Sequence, residues 1–191
     1  MKITVEEING RASDFFPACR KNGVVPTRFL LGVSVPDQTV SLFEKSSVPL
    51  CPGGGYEFRR KFRCSTSRFG IGQAEGSNRT PLGLHRVSEK IGGGWPVGAV
   101  FKSRKLTGLT WQGMPGAKVT TRILWLDGLE PGFNRGGSVD SHSRYIYMHG
   151  TGDETTLGRP ASCGCIQLAA NDLIPLFDKV PVGTLVWICE N

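Results

Sequence analysis

Residues 29–44 read FLLGVSVPDQTVSLFE, a pattern of two β-strands joined by a tight turn. The run 29–35 is apolar over the length of one strand, and Pro36-Asp37-Gln38 supplies residues that favour turns. Residues 39–44 then alternate polar and apolar side chains with a period of two, which is typical of a half-buried strand. This stretch therefore predicts a β-hairpin.

Further short strands follow along the chain. Residues 56–67 alternate again, while 70–83 are rich in glycine and predict a loop. The remaining predicted elements are strands at 84–87, 99–101, 120–126, 145–148 and 184–189 and a short helix from Asn171 or Asp172 to Lys179. The 26 glycines and 12 prolines indicate many turns and few long helices. We therefore expect a mainly β protein, either a sandwich or a barrel.

The N-terminal segment has a helical character instead. Thr4 followed by Glu7 has the form of a capping box, which satisfies the first amides of a helix. Pro17 predicts a break or restart of that helix, because proline lacks the N–H that the helix interior needs. We therefore expect a short helical arm over residues 1–26 and one domain over residues 27–191.

The chain carries a formal net charge of +7. Basic residues cluster at 59–63 together with Arg68, and again at 102–105, which favours an anionic partner. No nucleic-acid motif accompanies them, so we expect no nucleic-acid partner. No stretch approaches the roughly 18 apolar residues of a membrane span, so no transmembrane segment is expected. Residues 1–7 carry acidic side chains and no apolar signal core, so either the protein is cytoplasmic or a leader has been removed.

Six cysteines are sparse for a disulfide scaffold of this length. None shows the Cys-x-x-Cys spacing of a zinc site, and the three histidines have no ligand spacing with them, so we expect neither a metal nor a cofactor. The unusual feature is Cys163-Gly164-Cys165. In a strand, the two thiols would project from the same face.

The C-terminal third contains a candidate nucleophile and a candidate base. His149 ends a predicted strand, and Cys165 follows 16 residues later, directly after Gly164. A thiol with a pKa of about 8.5 is only slightly ionised at neutral pH, so a nearby imidazole is needed to accept its proton. That imidazole can later protonate a leaving amine. The glycine allows main-chain amides to approach a developing oxyanion. The pattern predicts nucleophilic catalysis by a cysteine.

These segments resemble the L,D-transpeptidase catalytic domain (YkuD-type), whose signature is His-Gly-Thr, a loop, and Ser-His-Gly-Cys-(Ile/Val)-Arg. The resemblance covers about residues 28–190. Its further segments are the first hairpin at 29–43, the turn Thr80-Pro81-Leu82-Gly83, and residues 121–128, 161–168 and 182–186. Two positions depart from the family pattern, because Cys163 replaces a histidine and Gln167 replaces an arginine. The nucleophile Cys165 and the base His149 are retained.

The resemblance implies a β-sandwich or barrel-like catalytic fold with a short N-terminal helical arm and a short C-terminal helix. It also implies that Cys165 attacks the carbonyl at the L-centre of a diamino acid in a peptidoglycan tetrapeptide stem, releasing D-alanine. The thioester would then pass to an amine of a second stem, giving a 3→3 cross-link, with His149 as general base and then general acid. The implied partners are donor and acceptor stems, and the implied location is the periplasm or cell envelope if a leader was removed.

Backbone groups complete the implied site. The amides of Gly164 and Cys165 are the candidates for an oxyanion hole. A main-chain carbonyl near Gly150 is implied to orient the ring of His149.

Four side chains around the site have supporting roles in this interpretation. Ser162 would hydrogen-bond the loop or the histidine, or stabilise a turn. Gln167 would offer a neutral hydrogen bond at the position of the family's arginine. Tyr147 and Arg144 would line the substrate groove, although strand packing and a solvated charge explain them equally well. Cys163 is interpreted as a space-filler, with a redox partner of the nucleophile as the alternative.

Other functions stay open on the sequence. Water in place of the acceptor amine would make the protein an L,D-carboxypeptidase. The departures at Cys163 and Gln167 allow a non-catalytic module that binds the cell wall. A nucleic-acid binder would rest on charge alone. His85 and His142 have no predicted partner, and surface or structural roles are expected for both.

Overall fold

The computed structural model describes residues 14–46 and 55–190. The elements of these residues are the helices α1 (Phe15–Lys21) and α2 (Ala170–Lys179) and the strands β1 (Phe29–Ser34), β2 (Thr39–Lys45), β3 (Tyr56–Ser65), β4 (Gly83–Ile91), β5 (Ala99–Lys102), β6 (Lys105–Leu109), β7 (Thr120–Gly128), β8 (Tyr147–Gly150), β9 (Ile166–Leu168) and β10 (Leu185–Cys189). The expected capping box at Thr4 and Glu7 lies outside the described residues, as does Cys51.

The strands form one sheet that closes on itself. Its order is β4-β10-β1-β2-β3-β9-β8-β7, and pairing between β4 and β7 completes a ring of eight strands. The β5–β6 hairpin is attached to β7 where Val100 pairs with Thr120. The expectation of a mainly β, barrel-like protein is confirmed, and closure leaves few strand edges unpaired.

The predicted hairpin supplies the first two strands of the barrel. Strands β1 and β2 pair antiparallel from Phe29 opposite Glu44 to Ser34 opposite Thr39. The side chain of Gln38 is buried at the turn, where its Nε2 donates to the hydroxyl of Thr66 at 2.7 Å. The turn is therefore joined to the chain that follows β3.

The main core fills one face of the sheet. Nearly every strand contributes apolar side chains to it, and α2 adds Leu173, Leu176 and Phe177. The helix was predicted from Asn171 or Asp172 and begins at Ala170. The backbone N–H of Ala170 donates to Oε1 of Glu154 at 2.8 Å, so a side chain distant in sequence satisfies the first turn.

Helix α1 packs on the opposite face of the sheet. Phe15 and Cys19 are buried there, in an apolar cluster with Leu30, Phe43, Tyr56, Leu84, Leu129 and Leu185. Pro17 lies in the first turn of α1, where a missing N–H costs nothing. None of the helices in the described parts of the chain is long and apolar enough to span a membrane.

The strands around the site differ from the prediction in one important respect. Strand β8 was predicted at 145–148 and is observed two residues later, because Tyr145 adopts a φ of +58° in a turn in which its N–H donates to the carbonyl of His142 at 3.0 Å. His149 therefore lies within the strand.

Strands β6 and β9 were not predicted. The hairpin tip before β6 uses Ser103 and Arg104 at positive φ instead of the usual glycine or asparagine.

We predict that one leucine of β7 is essential for stability. Leu124 is fully buried in the main core, so Leu124→Ala should lower the free energy of unfolding by about 2–5 kcal/mol. Leu106→Ala makes the same change where the side chain is 37% exposed and should cost less than about 1 kcal/mol. Urea unfolding followed by circular dichroism measures both, and equal losses would contradict this assignment of the core.

Candidate active site

The candidate nucleophile and base meet at two neighbouring parallel strands. His149 lies in β8, paired with Gln167 of β9, and Cys165 directly precedes β9. Both line one cavity of about 240 Å³. The other residues around it are Arg68, Lys118, Val119, Ala161, Ser162, Cys163 and Gln167. The fold therefore brings together a thiol and an imidazole that lie far apart in sequence.

The tautomer of His149 follows from its hydrogen bond. Nδ1 lies 2.8 Å from the carbonyl oxygen of Gly150, which can only accept, so the ring proton is on Nδ1. The lone pair is consequently on Nε2, which makes no hydrogen bond within the described parts of the chain. His149 is only 3% exposed, and burial lowers its pKa to about 4 despite the opposing effect of this hydrogen bond. At neutral pH the imidazole is an uncharged base.

The thiol of Cys165 is protonated at rest. Burial of the sulfur raises its pKa to about 11, although a backbone hydrogen bond from Tyr147 and the charge of Arg144 act in the opposite direction. Sγ donates to the carbonyl oxygen of Tyr145 at 3.5 Å. Cys165 as a residue is only partly buried, so it can be reached from the cavity. The site therefore contains a neutral thiol and a neutral imidazole.

Two hydroxyl groups hold the loop that carries the cysteine. Ser162 Oγ donates to the carbonyl of Cys165 at 2.6 Å and accepts from the N–H of Gly164 at 3.3 Å. Thr80 Oγ1 donates to the carbonyl of Gly164 at 3.0 Å and accepts from the N–H of Ser67, also at 3.0 Å. The loop conformation is therefore fixed from both sides.

Gly164 is required by its backbone. Its φ of +121° is a conformation that residues with a side chain rarely adopt. A Cβ at this position would also lie 3.3 Å from the carbonyl oxygen of Arg79. The glycine thus lets the cysteine loop pass close to the segment that precedes Thr80.

Arg144 holds the loop that precedes Thr80. Its Nη1 donates to the carbonyl of Gln73 at 2.8 Å, and its Nη2 donates to the carbonyl of Arg79 at 2.7 Å. Burial lowers the pKa of this guanidinium, and the nearby thiol of Cys165 acts in the opposite direction. Arg144 therefore ties the loop 72–79 to the strand that leads to the active site.

Tyr147 and Gln167 complete the predicted set. Tyr147 is buried, with its ring at 90° to Trp125 and 74° to His149, and its hydroxyl accepts from Arg104 Nη1 at 3.5 Å. Burial raises the pKa of this phenol. Gln167 is half-buried and lines the cavity beside His149. Tyr147 therefore packs against the base His149, and Gln167 offers a neutral amide to a ligand.

Sequence reasoning identified Thr80 only as part of a turn and missed its role in holding the catalytic loop. The Thr80-Pro81-Leu82-Gly83 motif was the available signal.

His85 is fully buried, with Nδ1 3.0 Å from the carbonyl of Gly83 and Nε2 2.9 Å from the hydroxyl of Ser141. His142 stacks on Trp125 at 4.0 Å. Neither histidine is among the residues that line the cavity.

Comparison with known sequences points to one family. The model of the L,D-transpeptidase catalytic domain (YkuD) matches residues 32–188. The chain is also similar to YqjB of Bacillus subtilis, a protein named as a candidate L,D-transpeptidase. The two are 38% identical over 48 residues, which are 25% of this chain and 27% of that protein.

Solved structures share the fold. Bd1075 of Bdellovibrio bacteriovorus has a TM-score of 0.54 and 14% identity over 86% of this chain and 48% of its own. L,D-transpeptidase 3 of Mycobacterium tuberculosis, in complex with a faropenem-derived adduct, has a TM-score of 0.51 and 15% identity, over 85% of this chain and 60% of its own. An L,D-transpeptidase of Mycobacterium smegmatis has a TM-score of 0.50 and 20% identity, over 85% and 58%.

The present chain thus spans about half to three fifths of these solved chains. The sequence match carries the assignment to a family, since it runs from the first hairpin through both cavity-lining residues, His149 and Cys165, into the last strand. The resemblance seen in the sequence is confirmed, and the chain belongs to the L,D-transpeptidase catalytic-domain family.

Proposed function

We propose that this protein is a cysteine L,D-transpeptidase that acts on peptidoglycan stem peptides in the cell envelope. The observation that carries the proposal is the shared cavity, into which a reachable thiol and an unprotonated imidazole both open. A module that only binds the wall has no need for this pairing. The net charge of +7 suits an anionic wall polymer.

In the first half-reaction, Cys165 attacks the carbonyl at the L-centre of the diamino acid in the donor stem. His149 Nε2 takes the thiol proton as the S–C bond forms, because this nitrogen carries the free lone pair. The resulting imidazolium then protonates the amine of the leaving D-alanine, and the C–N bond breaks. The product is a thioester on Cys165.

In the second half-reaction, the side-chain amine of an acceptor stem attacks this thioester. His149 again accepts the proton, and the thiol of Cys165 is restored. The new amide is a 3→3 cross-link. Water in the same position would release the shortened stem, which is the carboxypeptidase reaction.

The oxyanion of each tetrahedral intermediate needs fixed donors. Of the two candidate amides, that of Gly164 already donates to the hydroxyl of Ser162. We therefore assign the oxyanion to the amide of Cys165, with the Gly164 amide holding the loop. The hydrogen bond from Ser162 to the carbonyl of Cys165 keeps the neighbouring peptide groups in place.

We predict that acyl transfer depends on Cys165 and not on Cys163. With a disaccharide-tetrapeptide donor, intact-mass analysis should show a thioester adduct with loss of D-alanine, followed by a cross-linked dimer. Cys165→Ala should reduce product at least about a thousandfold, because the variant lacks the sulfur that forms the thioester. Cys163→Ala is the matched control and should retain the adduct. Equal product from wild type and Cys165→Ala would contradict the proposal, whereas D-alanine release without dimer would indicate water as the acceptor.

We predict an unusual pH dependence of thiol reactivity. Since burial raises the pKa of Cys165 to about 11, its alkylation by iodoacetamide should rise roughly tenfold per pH unit between pH 7 and 9, without levelling off near 8.5. His149, with a pKa of about 4, stays neutral throughout this range. Peptide mass spectrometry separates Cys165 from Cys163. A rate that is flat between pH 5 and 8 would instead indicate a thiolate–imidazolium pair.

We predict that the hydroxyl of Thr80 is required for activity. Thr80→Val removes the donor to the carbonyl of Gly164 and the acceptor for the N–H of Ser67, so the cysteine loop should shift. The acylation rate should fall about ten- to a hundredfold. Thr80→Ser keeps the hydroxyl and should restore most of the rate. Circular dichroism verifies folding, and an unchanged rate in folded Thr80→Val would show that this clamp is dispensable.

A further inference from the structure

Two cations flank the cavity that contains the thiol and the imidazole. We propose that Arg68 and Lys118 form a carboxylate-binding rim that recognises the free α-carboxylate of the last residue of the donor stem. The identity of the donor rests on the proposed function, whereas the preference for a carboxylate is a property of the cavity itself.

Arg68 is fixed to the cysteine side of the cavity. Its backbone N–H donates to the carbonyl of Ser162 at 3.1 Å, and the preceding Ser67 forms a β-bridge with Ser162. The side chain is exposed, with its guanidinium 4.9 Å from the centre of the Phe69 ring. It makes no ion pair with any residue of 14–46 or 55–190, so its donors are available to a ligand.

Lys118 lies on the histidine side. The residue before it, Ala117, accepts a hydrogen bond from the N–H of Gly152 at 2.9 Å, just beyond β8. The residue after it, Val119, accepts from the N–H of Phe101 at 3.0 Å. The Lys118 side chain is exposed and has no ion-pair partner in the described parts of the chain. Its backbone is thus held while its ammonium group is free.

The rest of the cavity lining carries no opposing charge. Among the described residues, no aspartate or glutamate lines it. Ser162 and Gln167 have uncharged polar side chains, and burial favours the neutral forms of His149 and Cys165. Arg68 offers a planar fork suited to a carboxylate, and Lys118 adds a point charge. The field in the cavity is therefore positive, and an anionic ligand is favoured over a neutral one.

The proposed reaction places a carboxylate within reach of this rim. In a terminal amino acid, the carboxylate carbon is two bonds from the scissile nitrogen, so it lies beside the carbonyl that Cys165 attacks. A stem with one more residue would present a neutral amide at that point instead. The rim would therefore select donors in which the scissile bond is the last peptide bond.

The test uses two alkylating agents of similar size that differ in charge. Iodoacetate carries a carboxylate and iodoacetamide does not. In both reactions the Cys165 sulfur forms a bond to carbon, iodide leaves, and the thiol proton goes to solvent. The ratio of the two rate constants at Cys165, measured at pH 9 by peptide mass spectrometry, reports the attraction of the cavity for a carboxylate, independently of any transpeptidase activity.

Arg68→Gln and Lys118→Gln should each lower the iodoacetate-to-iodoacetamide ratio about two- to fivefold, and the double variant should lower it further. Arg68→Lys keeps a charge and should recover part of the ratio, which a purely structural role would not explain. Arg20→Gln changes an exposed cation of α1 and should leave the ratio unaltered. A ratio that is unchanged in the rim variants, or lowered equally by Arg20→Gln, would overturn the proposal.

A second arm compares a tetrapeptide donor that has a free C-terminal carboxylate with its C-terminal amide. Wild type should form the acyl-enzyme faster with the free acid, and Arg68→Gln should reduce that preference mainly through KM. If wild type is acylated by neither donor, the proposed function fails while the alkylation ratio still decides the rim. If acylation occurs with equal preference in all variants, the rim has no part in donor selection.

Discussion

The parallel pairing of β8 with β9 is the constraint on which the site depends, because it sets the base His149 opposite Gln167, two residues after the nucleophile Cys165. Parallel neighbours cannot be joined by a tight turn, so the intervening chain must leave the sheet and return. Here the return path is held by β3 and the residues after it. Gly158 donates to the carbonyl of Cys64 at 2.8 Å, and Ala161 donates to the carbonyl of Thr66 at 2.9 Å. Strand β3, which pairs with β9 on the side opposite β8, therefore also positions the loop that leads to Cys165.

Desolvation gives the site its electrostatic character. Burial disfavours the charged form of both reacting groups, lowering the pKa of His149 and raising that of Cys165. The charged side chains surround this pair instead. Arg144 donates to the carbonyl of Arg79, and the exposed Arg68 and Lys118 line the cavity. A neutral reacting pair surrounded by cations is arranged to stabilise negative charge that develops during a reaction.

The sequence predicted those features that rest on local patterns. The hairpin at 29–44, the late helix and the candidate pair His149 and Cys165 all have short-range signals, namely strand periodicity, turn residues and motif spacing. In the structure, the hairpin forms β1 and β2, the helix is α2, and both residues of the pair line one cavity. The roles of the site residues, in contrast, stay predictions that rest on their geometry.

Features set by distant contacts could not be predicted in the same way. The first turn of α2 depends on Glu154, and the cysteine loop depends on Thr80, which lies 84 positions before the Gly164 carbonyl that it binds. Strand β9 has only three residues and exists because β3 and β8 flank it. The shift of β8 follows from the backbone of Tyr145, at a positive φ with no glycine to indicate it.

The backbone of Gly164 also determines how this site can diversify. A φ of +121° and a carbonyl oxygen 3.3 Å from the position of any Cβ disfavour every residue with a side chain, so a randomised library should be strongly enriched in glycine there. Cys163 and Gln167 face the cavity without such a restriction. New specificities on this scaffold are therefore accessible through Cys163 and Gln167, which lie two residues before and two residues after the nucleophile, while Gly164 keeps the loop conformation.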